Sequence, residues 1–195
     1  MLTLCIDTAY KYLTCALILD DRILSSYSEP CFKKQSEEVF QALDMIFTKA
    51  GVYKKDIDAI CVTSGPGSYT GVRIAMTIAK VIGQVLPCEV YTVSTLRLYA
   101  GGRENCMVVM DARAGRAYVA IYDKDTVILK DTILPIRDIE CKGHELIGDA
   151  SLFGLEDDYG NIAESFLKVR PYWQKIDDIA FLTPDYFKES ESYYR

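Results

Sequence analysis

The stretch from Ser64 to Lys80 constrains this chain most, because an apolar run enters a glycine-rich turn that opens directly into a helix. Ile57 to Thr63 reads as a buried strand and Gly65-Pro66-Gly67 as a forced turn. Ser68 or Thr70 then caps a helix reaching about Leu86. A helix that follows a strand this closely packs back on the sheet, which predicts an α/β protein.

A strand, glycine turn and helix also form the usual frame for phosphate binding, since free helix N–H groups attract anions. A P-loop needs Gly-Lys-Ser/Thr at the end of its turn, but Gly71 is followed by Val72. A dinucleotide fingerprint needs Gly-x-Gly-x-x-Gly, but the third glycine arrives one residue late, at Gly71, and Glu89 begins the next strand instead of closing it. The glycines are therefore read as shaping a turn and letting a helix approach a neighbour closely.

The chain has 195 residues, half of them apolar, enough to bury a core in one domain or two small lobes. Its net charge of −6 argues against holding nucleic acid directly, so any RNA is expected to be carried by a partner. Charge breaks every apolar run, for instance at Lys80, and Asp7 comes too early for a signal peptide, so a cytoplasmic protein without a membrane span is expected. Seven cysteines without a Cys-x-x-Cys pair and a single histidine, His144, disfavour a zinc site and a disulfide framework. Cys5, Cys15, Cys61 and Cys106 read as core thiols, and no cofactor is expected. Ser68 lacks the flanking glycines of a nucleophile elbow.

Strands are predicted at 2–6, 13–19 and 22–28, a helix from Ser36 to a stop at Gly51, a strand at 57–63, a helix at 70–86, a strand at 89–93 and a helix at 95–101. The pattern then restarts at an offset of 104 residues: Cys5-Ile6-Asp7 lies over Val109-Met110-Asp111, and Asp21-Arg22-Ile23-Leu24 over Asp125-Thr126-Val127-Ile128. This predicts two lobes, 1–102 and a reduced copy over 103–195, with a further strand at Glu145 to Gly148 and weak helical signals beyond Asn161.

Two lobes that each open on a hairpin carrying an aspartate resemble the duplicated, ribonuclease H-like fold of the actin-like ATPase superfamily. Ile6-Asp7-Thr8, the Ser64 to Arg73 segment, Met110-Asp111-Ala112-Arg113 and Leu182-Thr183-Pro184-Asp185-Tyr186 resemble the tRNA threonylcarbamoyladenosine biosynthesis protein TsaB family. The resemblance implies a noncatalytic subunit that supports the transferase TsaD, joined by a small ATPase, TsaE. It touches tRNA only through that partner, and can form a homodimer when isolated. Pairing in that family uses the first two long helices, here about 36–50 and 70–86. The contact candidates are Val39 and Leu43 on the first, and Tyr69, Val72, Arg73, Ala75, Met76 and Ala79 on the second. Where the family often carries a histidine before Ser-Glu, this chain has Gln35.

Two readings stay open for the strand-end aspartates. Asp7, with Thr8, and Asp111 stand where superfamily ATPases keep residues near magnesium and phosphate, as vestiges of a nucleotide site. Equally, each can form an Asx turn within its own hairpin. The first turn, Thr8 to Tyr12, is bulky and free of glycine, which obstructs a phosphate. The second helix, apolar around most of its circumference, is either wholly internal or shared between this chain and a partner. The alternative function is a small ATPase or carbohydrate kinase using Asp7 and Asp111.

Overall fold

A computed structural model describes residues 1–31, 33–141 and 143–186. Residues 187–195 of the expected second lobe lie outside the described residues.

Strands β1 (Leu2–Asp7), β2 (Tyr12–Leu19) and β3 (Arg22–Pro30) form an antiparallel meander. Helix α1 (Gln35–Ala50) follows, ending on the left-handed Gly51, whose N–H caps the carbonyls of Phe47 and Thr48. Strand β4 (Ala59–Thr63) then pairs parallel to β1, helix α2 (Tyr69–Val85) starts from Ser68, and β5 (Glu89–Val93) lies parallel to β4. The short helix α3 (Thr95–Ala100) closes on left-handed Gly101.

The second meander comprises β6 (Cys106–Arg113), β7 (Arg116–Asp123) and β8 (Thr126–Pro135), with β9 (Glu145–Gly148) parallel to β6 as β4 is to β1. The two halves thus repeat one pattern. Even their second turns match: Asp20 and Lys124, at the predicted offset, both take left-handed backbone, which tight two-residue hairpins demand.

Helix α4 (Ile162–Lys168) packs on β2 and β3, and β10 (Gln174–Ile176) pairs antiparallel with β5. The first sheet therefore runs β10-β5-β4-β1-β2-β3 and the second β8-β7-β6-β9. The chain after residue 103 builds the second sheet and then returns to brace the first.

Period-two alternation divides the first sheet between two cores. Leu4, Ile6, Leu13, Cys15, Leu17 and Ile60 face α1 and α2, whereas Cys5, Ala16, Ile18 and Cys61 face the layer of α3 and α4 beneath the second sheet. Strands covered on both faces are apolar throughout, and each fully buried Leu or Ile contributes about 1.5–3 kcal/mol relative to exposure.

Candidate functional site: two hairpins and an outer helical stripe

Asp7 ends β1 with its side chain fully buried. Its Oδ1 accepts from the Ala9 N–H at 3.0 Å and the Thr63 hydroxyl at 2.7 Å, and its Oδ2 from the Tyr99 hydroxyl at 3.1 Å. Burial pushes the carboxyl above its ordinary range, and these three donors oppose the shift. The i to i+2 bond is an Asx turn. Asp7 is thus engaged inside its own lobe and does not line the neighbouring cleft of about 580 Å³, which Tyr10, Lys11, Ser68, Asp111 and Arg113 flank.

Thr8 serves α2. Its hydroxyl donates to the Gly71 carbonyl at 2.6 Å and accepts from the Ala75 N–H at 3.2 Å, bridging one rung of the helix. The glycine turn lies against the same hairpin: Ser68 N–H donates to the Ala9 carbonyl at 2.7 Å, and the Ser68 hydroxyl accepts from the Gly71 N–H at 3.3 Å. A Cβ on Gly67 or Gly71 would overlap the carbonyl oxygen of Ala9 or Thr8. These glycines are close-approach residues, and backbone of the chain itself fills the space beside them. The closing Leu182 to Tyr186 strap, which sequence alone left without a place, crosses the same turn: Asp185 N–H donates to the Ser64 carbonyl at 2.8 Å, and Leu182 is buried in the α1–α2 core.

Asp111 is exposed, and its Oδ1 accepts from the Arg113 N–H at 2.7 Å. Beside it lies a cluster that sequence reasoning missed. Asp149, just after β9 and 1% exposed, accepts from Lys11 Nζ and from the Asp111 N–H, each at 2.6 Å, and from the hydroxyls of Tyr10 and Tyr159. Burial first, and then the Asp149 carboxylate, push both phenols upward, so they remain donors. Tyr159 also packs edge-on against Tyr99 at 5.9 Å, linking this cluster to Asp7. Gln35 donates to the Tyr10 carbonyl at 2.9 Å, tying the start of α1 to the first hairpin.

The helical contact candidates divide. Val39, Leu43, Val72, Ala75, Met76 and Ala79 are all buried in the chain's own core, where they fill the space between α1, α2 and the sheet. In this chain these six side chains are interior groups. Small Ala75 and Ala79 sit on the inward side because a helix this close to the sheet has no room there for larger groups. Tyr69 and Arg73 are exposed and continue along α2 through Thr77 to Val81 and Val85, a stripe at four-residue spacing. Arg73 stacks over the Tyr69 ring at 4.3 Å, and its Nε donates to the Tyr186 hydroxyl at 2.9 Å. Tyr186 in turn stacks on Tyr69 with ring centroids 5.2 Å apart. Phe40 and Met45 add apolar surface on α1, at 62% and 54% exposure.

The four thiols read as core residues are fully buried, and burial pushes the Cys5, Cys15, Cys61 and Cys106 groups up. All seven cysteines are free. Among the described residues, no group of three or more His, Cys, Asp or Glu side chains could hold a metal ion, and no helix is long and apolar enough to cross a membrane. His144 faces Asn105 near the surface.

Paired meanders, each with a parallel strand beside its first member and an aspartate at the hairpin, define a two-lobed actin-like ATPase fold. Two solved structures from Pseudomonas aeruginosa share it. One is described as an uncharacterized protein with similarity to peptidase YeaZ (TM-score 0.81, 21% identity, 96% of this chain and 99% of that one). The other is YeaZ (TM-score 0.77, 22% identity, 95% and 99%). A family model described as TsaD, tRNA N6-adenosine threonylcarbamoyltransferase, matches residues 29–178. The Bacillus subtilis tRNA threonylcarbamoyladenosine biosynthesis protein TsaB is 32% identical over 68% of this chain and 60% of its own length. The Escherichia coli TsaB is 35% identical over 64% of this chain and 56% of its own length. The chain thus spans less than two thirds of these curated relatives. It belongs to the TsaD family, and within that family its curated relatives at 32% and 35% identity are TsaB proteins.

Proposed function

We propose that this chain is a noncatalytic scaffold subunit required for threonylcarbamoyladenosine modification of tRNA, acting in the cytoplasm by binding a TsaD-like transferase. A TsaE-like ATPase joins the assembly, and tRNA is contacted through the transferase. The observation that carries this reading is the engagement of Asp7: its buried carboxylate accepts from Ala9, Thr63 and Tyr99, so the strand end that serves magnesium in enzymes of this fold here stabilises a hairpin. Family membership supplies the pathway, and the outer stripe of α2 with Phe40 supplies a surface of aromatic, Arg and aliphatic groups suited to a protein partner. In the isolated chain the same stripe serves a homodimer. Residues 1–102 act as the docking lobe and 103–195 as the reduced lobe that braces it.

A second reading, a small ATPase or carbohydrate kinase, is favoured by the cleft beside Lys11, Asp111 and Arg113. Two assays separate the readings. The purified chain is expected to show no metal-dependent ATP hydrolysis by itself, and to raise threonylcarbamoyladenosine formation when added to its transferase. Hydrolysis by the lone chain that disappears in Asp7→Ala would establish the second reading instead.

A further inference from the structure

We propose that the Asp149 carboxylate is a built-in anion, seated in a receptor that the two hairpins form between them, and that it locks the lobes in one arrangement without any bound ligand.

The donors come from distant parts of the chain. Tyr10 and Lys11 belong to the first hairpin, the Asp111 N–H to the second, and Tyr159 to the segment before α4. All four converge on two oxygens that are almost wholly excluded from water. A lysine, two hydroxyls and a backbone N–H around a small recess make an anion receptor by chemistry alone, and only a deprotonated carboxylate accepts from all four without donating. The carboxylate is delivered rigidly. Gly148 takes a φ of 93°, and a side chain there would collide with the Val109 carbonyl; the Asp149 N–H donates to that same carbonyl at 2.8 Å. Gly148 also exchanges both backbone hydrogen bonds with Asp158, pinning the strand end from its other side. Lys11 carries a second, longer contact to Asp157 at 3.4 Å, and its ammonium stands over the Tyr159 ring at 5.5 Å, so the receptor is braced apart from the carboxylate it holds. Removing the carboxylate leaves the Tyr10 and Tyr159 hydroxyls and the Asp111 N–H without their acceptor, next to a lysine that keeps part of its exposure to water.

The test is chemical rescue. Asp149→Ala leaves the receptor with a vacant space the size of a small anion. Its melting temperature is expected to fall by about 10 °C. Sodium formate or inorganic phosphate is expected to restore several degrees, whereas sodium chloride at matched ionic strength restores none. Rescue is the gain beyond each salt's effect on the wild-type chain, because phosphate stabilises folded proteins in general by exclusion from their surface. Asp149→Asn should also be destabilised but not rescued, because the amide still fills the space. Adding Lys11→Met to Asp149→Ala should abolish the rescue. If Asp149→Ala is recovered only unfolded, refolding from urea in formate against chloride gives the same readout, with soluble yield in place of melting temperature. Equal effects of formate and chloride on Asp149→Ala, or rescue that persists without Lys11, would overturn the proposal.

Discussion

Asp7 and Asp111 stand 104 residues apart and make the same turn: each Oδ1 accepts from the backbone N–H two residues on, Ala9 in the first lobe and Arg113 in the second. One is sealed and the other open to solvent, and that difference organises what the two hairpins can do. In the first, the carboxylate is a structural acceptor. In the second, the residue contributes its backbone N–H to Asp149 and its side chain to its own turn.

The sealed aspartate leaves a signature in the pH dependence of stability. Burial raises the Asp7 carboxyl above its ordinary 3.8 in the folded chain, so the folded state binds the proton more tightly than the unfolded one. Its contribution is fully present below the ordinary value and is lost as pH rises through the raised one. Asp7→Asn cannot ionise. Urea unfolding across the acid to neutral range should show the wild type losing stability relative to Asp7→Asn as pH rises; a constant difference would contradict this assignment of the shift.

Gly71→Ala should destabilise the chain by about 1–3 kcal/mol, because its Cβ meets the Thr8 carbonyl oxygen where neither backbone can yield. Gly115→Ala meets no atom and bears only the strain of a φ of 69°, at about 1 kcal/mol. Thermal unfolding of the two variants should rank them in that order.

Thiol chemistry checks the burial pattern directly. Cys88 and Cys141 are partly exposed, whereas the other five cysteines are buried. An aromatic disulfide reagent should label these two rapidly in the folded protein and all seven in denaturant. Rapid labelling of Cys5 or Cys61, which lie in the centre of the first sheet, would show that the sheet opens.

The inward and outward sides of α1 and α2 should respond oppositely to charge. Ala75→Glu places a carboxylate in a fully buried site and should abolish folding. Phe40→Asp and Val81→Asp lie on the outside and should leave unfolding within about 0.5 kcal/mol of the parent. Circular dichroism and urea melts distinguish these outcomes.

The elements were legible wherever the signal was local. The cap at Ser68 and the stop at Gly51 are each decided within a few residues, and the offset between Asp7 and Asp111 exposed the duplication. The orientation of α2 was not legible, because a helix apolar on nearly every side carries no periodic mark of which stripe meets the sheet. Val72, Ala75, Met76 and Ala79 turned inward, and Tyr69 with Arg73 outward, through packing against β1, β4 and α1. Nor could sequence find Asp149, whose partners Asp111 and Lys11 lie 38 and 138 residues away in unrelated turns, or the three-residue β10 paired along the edge of β5.

Binding of the purified chain to a TsaD-like transferase, compared between wild type and Val81→Asp, tests the central claim most directly. The account predicts that affinity falls at least tenfold while the variant melts as the parent does, with threonylcarbamoyladenosine formation falling in step. Undiminished affinity in Val81→Asp and in Phe40→Asp would contradict it, because the outer helical stripe would then not be the surface through which this chain acts.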